Sequence, residues 1–256
     1  MTQIKIHNQD CLNLFKTMKD ESVDLLVTDP PYKISSGGCK VKKSANEPTD
    51  IFNKRSISDN DLKRKWLNKS SSNTGLIKTG SFFKHNKIEF KDWLGEAFRV
   101  MKNKSHIYIM VNDRNLNNLI NEAQRVGFKL QNVLVWKKQN ATPNKYYMKN
   151  CEFVVMFRKG NAKNINNMGT KSVIEINNII GNKSHPTEKP VELNKLLIEN
   201  SSNEGDLVLD PFVGSGSSSI AALETDRNFI GSEIDPEYFD IAETRINENK
   251  SLKLAA

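Results

Sequence analysis

The stretch VDLLVTDPPY, residues 23–32, predicts a buried strand that ends in a stiff turn. Its first half is a short, apolar, β-branched run, which fits a strand of a parallel sheet better than a helix. Asp29 follows at the carboxyl end, and two prolines after it favour extended backbone and remove two N–H donors. The turn therefore presents a carboxylate, carbonyl acceptors and an aromatic ring, which suits a planar group that bears an amino nitrogen. For Asp-Pro-Pro alone, an ordinary strand-ending turn is the alternative.

Strand-like and helix-like segments alternate on both sides of this stretch. The strand candidates are residues 4–7, 23–27, 106–111, 128–136, 153–157, 207–209 and 229–231. The helix candidates are residues 12–18, 90–101, 115–126, 191–198 and 217–223. This alternation predicts a doubly wound, mostly parallel α/β sheet with helices on both faces, whose segments 128–136 and 153–157 form an antiparallel pair at one edge. The length suits a single catalytic domain over residues 1–256.

A second motif, DLVLDPFVGSGS at residues 206–217, predicts a ligand-binding turn. Asp210 closes the strand, and Gly214 and Gly216 open a helix whose first N–H groups have no partner within the helix. Glu233 ends the next strand, 19 residues after Gly214, where an acidic residue accepts hydrogen bonds from ribose hydroxyls. The glycine spacing differs from that of a pyrophosphate fingerprint, which favours a nucleoside without phosphates.

The positive charge of the chain is concentrated in two polar segments. The net charge is +8, while residues 33–89 alone carry +8, residues 137–183 carry +7 and the remainder carries −7. Such a distribution is expected of a surface that meets phosphates, although solvated lysine-rich loops are the alternative for either segment alone.

The two basic segments predict contacts to nucleic acid. We interpret residues 33–89 as a loop insertion that acts as a flap and contacts DNA, and residues 137–184 as a basic hairpin and loop that forms the target-recognition region. Trp66 in the insertion could stack on a base or anchor a small satellite core. The candidate DNA-binding residues are Lys63, Arg64, Lys65, Lys137, Lys138, Lys145 and Tyr146.

The cysteines predict neither a metal site nor disulfides. Cys11, Cys39 and Cys151 show no CxxC or other metal-ligand spacing, and no export signal or membrane-length apolar span is present. A reducing cytoplasm is the expected compartment, and we expect no membrane or metal partner. None of the three cysteines follows a proline, so a Pro-Cys nucleophile is absent.

Four motifs now stand in a fixed order: DPPY at 29–32, HPTEKP at 185–190, DPFVGSGS at 210–217 and GSEID at 231–235. Together they resemble the S-adenosylmethionine-dependent DNA amino-methyltransferases. The catalytic motif comes first and the cofactor motif last, as in the β-class adenine-N6 enzymes of bacterial and phage restriction–modification systems. The chain departs from that pattern in its long insertion, in Glu188 where the family commonly has Gln, and in Ser218.

The resemblance implies a seven-stranded sheet with cofactor and target base side by side at its carboxyl edge. It implies that a flipped-out adenine stacks on Tyr32, that Asp29 and the Pro30 carbonyl accept its amino hydrogens, and that Pro31 stiffens the turn. Glu233 would hold the ribose, Asp10 and Cys11 would lie near the cofactor's adenine, and Lys189 would pair with its carboxylate. The methionine end would be lined by Asp29, Asp210, Phe212, Gly214, Ser215, Gly216 and Ser217. An Asp at position 10 is also a common helix cap.

Other functions remain open on the sequence alone. Cytosine-N4 methylation needs the same amino-group geometry, although that family more often has Ser in place of Asp29. A glutamine or RNA amino-methyltransferase usually has Asn first and the cofactor motif upstream. A DNA-binding module on an inactive fold is disfavoured by the intact Asp29 and Glu233. The sequence does not decide between a monomer and a homodimer.

Overall fold

The computed structural model describes residues 2–31, 88–142, 146–179 and 188–255. Its strands are β1 (Ile4–Asn8), β2 (Val23–Thr28), β3 (Met101–Val111), β4 (Lys129–Thr142), β5 (Lys149–Arg158), β6 (Val173–Glu175), β7 (Leu207–Asp210) and β8 (Asn228–Glu233). Its helices are α1 (Cys11–Thr17), α2 (Phe90–Val100), α3 (Leu116–Arg125), α4 (Val191–Ser201), α5 (Ser217–Glu224) and α6 (Pro236–Ala255).

Within the described residues the strands form one sheet of eight, in the order β1-β8-β7-β2-β3-β5-β4-β6. The first five in this order are mutually parallel, while β5 runs antiparallel to both β3 and β4. The doubly wound, mostly parallel α/β fold is thus confirmed, together with the antiparallel pairing of β4 and β5. The strand beyond the expected seven is β6, which adds to the outer edge of β4 in parallel. Trp136 Nε1 holds this edge by donating to the Ile176 carbonyl at 2.8 Å.

Helices cover both faces of the sheet, as predicted. One core packs α1, α2 and α3 against side chains such as Leu26, Ile107 and Val155. The other packs α4, α5 and Ala242 of α6 against side chains such as Leu25 and Val27. Neighbouring positions along β2 thus face opposite cores, because successive side chains of a strand point to opposite sides.

The antiparallel pair is longer than predicted from the sequence. β4 continues to Thr142 instead of ending at Trp136, and β5 begins at Lys149 instead of Phe153. The ladder is irregular between Lys137 and Thr142, which indicates a bulge. Much of the segment that was predicted to connect the two strands is therefore itself strand. The strand backbone sets the directions of its charged side chains.

Acidic residues collect at one edge of the sheet. Because β1, β8, β7 and β2 are parallel neighbours, their carboxyl ends lie side by side. Asp10 follows β1, Glu233 ends β8, Asp210 ends β7 and Asp29 follows β2. In open α/β sheets this edge is where ligands bind. None of the described helices has the length and apolar character needed to cross a membrane.

Candidate active site

Asp29 lies at the end of β2 with one carboxylate oxygen engaged and one open. Oδ2 accepts a hydrogen bond from Lys189 Nζ. Oδ1 is buried and has no hydrogen-bond partner among the described residues. Burial raises the pKa of Asp29, while the charge of Lys189 opposes that rise. Pro30 is buried and Pro31 half-buried, and Tyr32 lies outside the described residues. Among the described residues, the site thus holds a buried acceptor without a donor.

Asp210 is committed to the protein's own donors. Its Oδ1 accepts from Thr28 Oγ1 at 2.6 Å and from the Phe212 N–H at 2.9 Å, and its Oδ2 accepts from Ser218 Oγ at 2.5 Å. Burial raises the pKa of Asp210 to about 6, against these hydrogen bonds. The carboxylate therefore ties the end of β2 to β7 and α5, next to Asp29. Ser218, which departs from the family pattern, supplies one of these bonds.

The glycine turn between β7 and α5 is held in place by the sheet and by α6. Gly216 has a φ of +89°, and a Cβ there would lie 3.1 Å from the Ala242 side chain. The Ser215 carbonyl accepts from Arg245 Nη1 at 2.6 Å. Ser217 Oγ is buried without a hydrogen-bond partner in the described part of the chain. The turn thus combines a fixed backbone with an open hydroxyl group.

Glu233, which is predicted to bind the ribose, has both carboxylate oxygens hydrogen-bonded to backbone N–H groups. Its Oε2 accepts from the Gly214 N–H at 2.8 Å, and its Oε1 accepts from the Asp235 N–H at 2.9 Å. Burial raises the pKa of this carboxylate. Each oxygen can still accept a further hydrogen bond. Gly231 lets the turn come this close, since a Cβ there would lie 2.4 Å from Val213 Cγ2.

Asp10 and Cys11 lie at the same sheet edge, beside Glu233. Asp10 caps α1, because its Oδ1 accepts from the Leu12 N–H at 2.8 Å. The Gln9 N–H donates to the Glu233 carbonyl at 3.1 Å, which fixes the end of β1 against β8. Burial raises the pKa of the Cys11 thiol to about 12, so this thiol stays neutral and is not a nucleophile at ordinary pH.

A cavity of about 60 Å³ that opens to solvent is lined by several of these groups. Its lining includes the predicted site residues Asp29, Lys189, Asp210, Phe212, Gly214, Ser215 and Ser217. Phe212 is anchored edge-on to Trp93, with 5.3 Å between ring centroids. Among the described side chains, no group of three His, Cys, Asp or Glu residues is placed to hold a metal ion.

Sequence reasoning missed a second carboxylate beside Asp29. Glu152 on β5 accepts from Lys138 Nζ, and its Oε2 lies 3.4 Å from Lys189 Nζ. Lys138, predicted to contact DNA, is thus directed to a mostly buried acidic group and also lies 4.7 Å from the centre of the Trp136 ring. The sequence feature that could have revealed Glu152 is its position, since it is an acidic residue inside the otherwise apolar run CEFVVMF.

The other predicted DNA-binding residues are in part on the surface. Lys137 is half-exposed and pairs with Glu175 at 2.7 Å, and Tyr146 is 80% exposed. Lys63, Arg64, Lys65 and Lys145 lie outside the described residues.

Comparison with known proteins identifies the family of the chain. The chain matches the DNA methylase family over residues 23–244. It is 27% identical to the Type II methyltransferase M2.MboI of Moraxella bovis, over 95% of this chain and 87% of that protein. It is 29% identical to M2.DpnII of Streptococcus pneumoniae, over 97% and 91%.

Solved structures share the fold. The crystal structure of the M1.HpyAVI–SAM complex has 21% identity and a TM-score of 0.63, with 95% of this chain and 100% of that chain covered. PvuII DNA methyltransferase, described as cytosine-N4-specific, has 17% identity and a TM-score of 0.66, with 96% and 86% covered. At these identities the likeness establishes the fold, whereas the match of residues 23–244 establishes the family: the chain belongs to the DNA methylases.

Proposed function

We propose that this DNA methylase transfers the methyl group of S-adenosylmethionine to the N6 amino group of an adenine that is flipped out of DNA. The observation that carries the proposal is Asp29 Oδ1, a buried carboxylate oxygen without a partner among the described residues, at the edge of the cavity. An unpaired buried acceptor is costly unless a ligand supplies its donor. An amino group with two hydrogens is such a donor.

The residues at this edge of the sheet, in the cavity and beside it, fit the cofactor. S-adenosylmethionine supplies an activated methyl group on a sulfonium. Glu233 has acceptor capacity for the ribose hydroxyls, and Asp10 and Cys11 lie beside it for the adenine moiety. The open Ser217 hydroxyl and the first N–H groups of α5 suit the polar methionine end. Phe212 supplies an apolar wall.

Asp29 and the Pro30 carbonyl accept the two hydrogens of the target amino group. These bonds would aim the nitrogen lone pair at the methyl group that the bound cofactor would supply. The nitrogen then sheds one proton toward Asp29, which leaves a neutral methylated amine. Extruding the base from a duplex costs a few kcal/mol, and stacking on Tyr32 is the sequence prediction for offsetting it.

Adenine is preferred to cytosine because position 29 is Asp where cytosine-N4 enzymes more often have Ser. The named relatives are Type II methyltransferases, and we assign this chain a similar sequence-specific role within a restriction–modification system in the cytoplasm. The DNA face would be formed by the basic segments 33–89 and 137–184, which include Lys137 and the exposed Tyr146.

Nucleoside analysis tests the proposal directly. DNA incubated with the protein and S-adenosylmethionine is digested and examined by mass spectrometry; N6-methyladenine is expected, and N4-methylcytosine in its place would overturn the choice of base. Asp29→Ala should lower transfer by about 100-fold or more, because it removes the acceptor. Calorimetry should show cofactor affinity retained. Asp20→Ala, which removes an exposed carboxylate paired with Arg99, is the matched control.

A further inference from the structure

One ammonium group faces two carboxylates at the edge of the cavity. Lys189 Nζ donates to Asp29 Oδ2 and lies 3.4 Å from Glu152 Oε2. Glu152 is also held from the other side, because its Oε1 accepts from Lys138 Nζ. The order across the site is therefore Lys138, Glu152, Lys189 and Asp29, with charges of alternating sign.

Two oxygens in this row have no hydrogen-bond partner among the described residues, Asp29 Oδ1 and Glu152 Oε2. The first faces the position assigned to the target amino group. The second lies 3.4 Å from Lys189 Nζ, which is within ion-pair distance but longer than an ordinary hydrogen bond. Lys189 thus has a second acceptor already in place when it is drawn away from Asp29.

The two carboxyl groups differ in how firmly they hold a charge. Burial raises the pKa of Glu152, but Lys189 and Lys138 together outweigh it and lower the pKa to about 2. Burial also raises the pKa of Asp29, and the single lysine beside it does not reverse the rise. Glu152 is therefore an anion at all ordinary pH values, since two cations hold it.

Methyl transfer places positive charge on the target nitrogen. A carboxylate next to that nitrogen stabilises the transition state, whereas an ammonium paired with the same carboxylate opposes it. Moving Lys189 away without a new partner would leave a buried cation unpaired, which is strongly unfavourable. Glu152 removes this cost, because its open oxygen receives the ammonium.

We propose that Glu152 is a positioning residue for methyl transfer, which receives Lys189 when the target amino group reaches Asp29. This rests on the role proposed above for Asp29. Lys189 is accordingly assigned to the carboxylates of Asp29 and Glu152. The sequence resemblance implies a different partner, the carboxylate of the cofactor.

A double-mutant cycle tests the proposal. Glu152→Gln should lower the single-turnover rate of transfer by about 10- to 100-fold, because Lys189 stays on Asp29, while calorimetry shows unchanged affinities for cofactor and DNA. In a Lys189→Gln background, the same change should alter the rate by about twofold or less, because Glu152 acts through that lysine. Equal losses in both backgrounds, a normal rate in the single variant, or a loss of cofactor affinity would each overturn the proposal.

Two further variants keep the test decisive. Glu122→Gln removes a carboxylate that pairs with Arg125 on the surface of α3, outside both basic segments, and it should leave the rate unchanged. If Glu152→Gln fails to fold, Glu152→Asp is the alternative, because it keeps the charge but places it farther from Lys189. The rate should then fall about fivefold. An unchanged rate would contradict the proposal. Failure of the proposed function is seen separately, as wild-type protein that makes no N6-methyladenine.

Discussion

Arg245 Nη1 lies 2.9 Å from Glu188 Oε1 and donates to the Ser215 carbonyl at 2.6 Å. One guanidinium on α6 thereby joins the glycine turn to the segment that carries Lys189. Glu188 is buried, and it stands where the resembling family commonly has Gln. The negative charge of Glu188 is thus paired with a cation that also holds the glycine turn.

Arg245→Ala should weaken cofactor binding and lower stability. The change leaves the Ser215 carbonyl without this donor and removes the cation beside a buried carboxylate. We expect an affinity loss of about tenfold and a fall in the free energy of unfolding of roughly 1–3 kcal/mol, measured by calorimetry and urea denaturation. The double variant Glu188→Gln with Arg245→Ala should regain part of the stability, because no buried charge remains. A double variant no more stable than the single one would show that charge matching is not the reason for the pair.

Glu233→Gln should raise the dissociation constant for S-adenosylmethionine. The charge-assisted hydrogen bonds to the ribose become neutral ones, a loss of about 1 kcal/mol for each bond, and one oxygen that holds the loop backbone is replaced by a donor. Asp235→Asn is the matched control, since it removes a neighbouring charge but keeps an acceptor for the Glu237 N–H. Equal affinities for Glu233→Gln and wild type, measured by calorimetry, would place the ribose elsewhere.

Asp210 should make stability depend on pH. Burial raises its folded-state pKa from 3.8 to about 6, so the folded protein binds this proton more tightly than the unfolded chain. The resulting contribution is fully present below pH 3.8, is lost as pH rises through about 6, and is constant above that. Relative to Asp210→Asn, which does not titrate, wild type should lose roughly 3 kcal/mol of unfolding free energy over this interval. Urea denaturation of both proteins at several pH values measures it, and a difference that stays flat between pH 4 and 7 would contradict the expectation.

The basic insertion should supply salt-dependent affinity for DNA. Each phosphate contact contributes a slope of about −0.9 to the dependence of log affinity on log salt. Replacing Lys63, Arg64 and Lys65 with Ala should flatten this slope and weaken binding to all sequences alike, since phosphate contacts carry no sequence information. The control replaces the exposed Lys5, Lys16 and Lys19, which removes the same charge elsewhere. Fluorescence anisotropy at several salt concentrations compares them, and identical slopes for the two triple variants would remove the insertion from the DNA face.

The site residues that can be predicted from the sequence are those that lie at the carboxyl ends of strands. Asp29, Asp210 and Glu233 each close a short apolar run, and a parallel sheet brings such ends together whatever the order of the strands in the chain. Their proximity is therefore a consequence of local pattern and fold class. The same reasoning places Asp10 at this edge but does not choose between capping and binding; the structure shows the capping bond.

The unpredicted parts depend on register and on strand order. Glu152 reaches Lys189 because β5 inserts between β3 and β4, and Lys138 reaches Glu152 across an irregular ladder. Neither relationship leaves a periodic signal in the sequence. β6 was missed because it has three residues within an Asn-rich stretch, too few to show alternation.

The position of β8 in the sheet has a consequence for how the protein is made. β1 is paired only with β8 in the described residues, and residues of these two strands that touch are about 225 positions apart. A growing chain on the ribosome therefore carries β1 with an unsatisfied edge until β8 has been synthesised, and contacts of such long range slow folding. Since β8 ends at Glu233, this carboxylate joins Asp29 at the sheet edge only when β8 has entered the sheet.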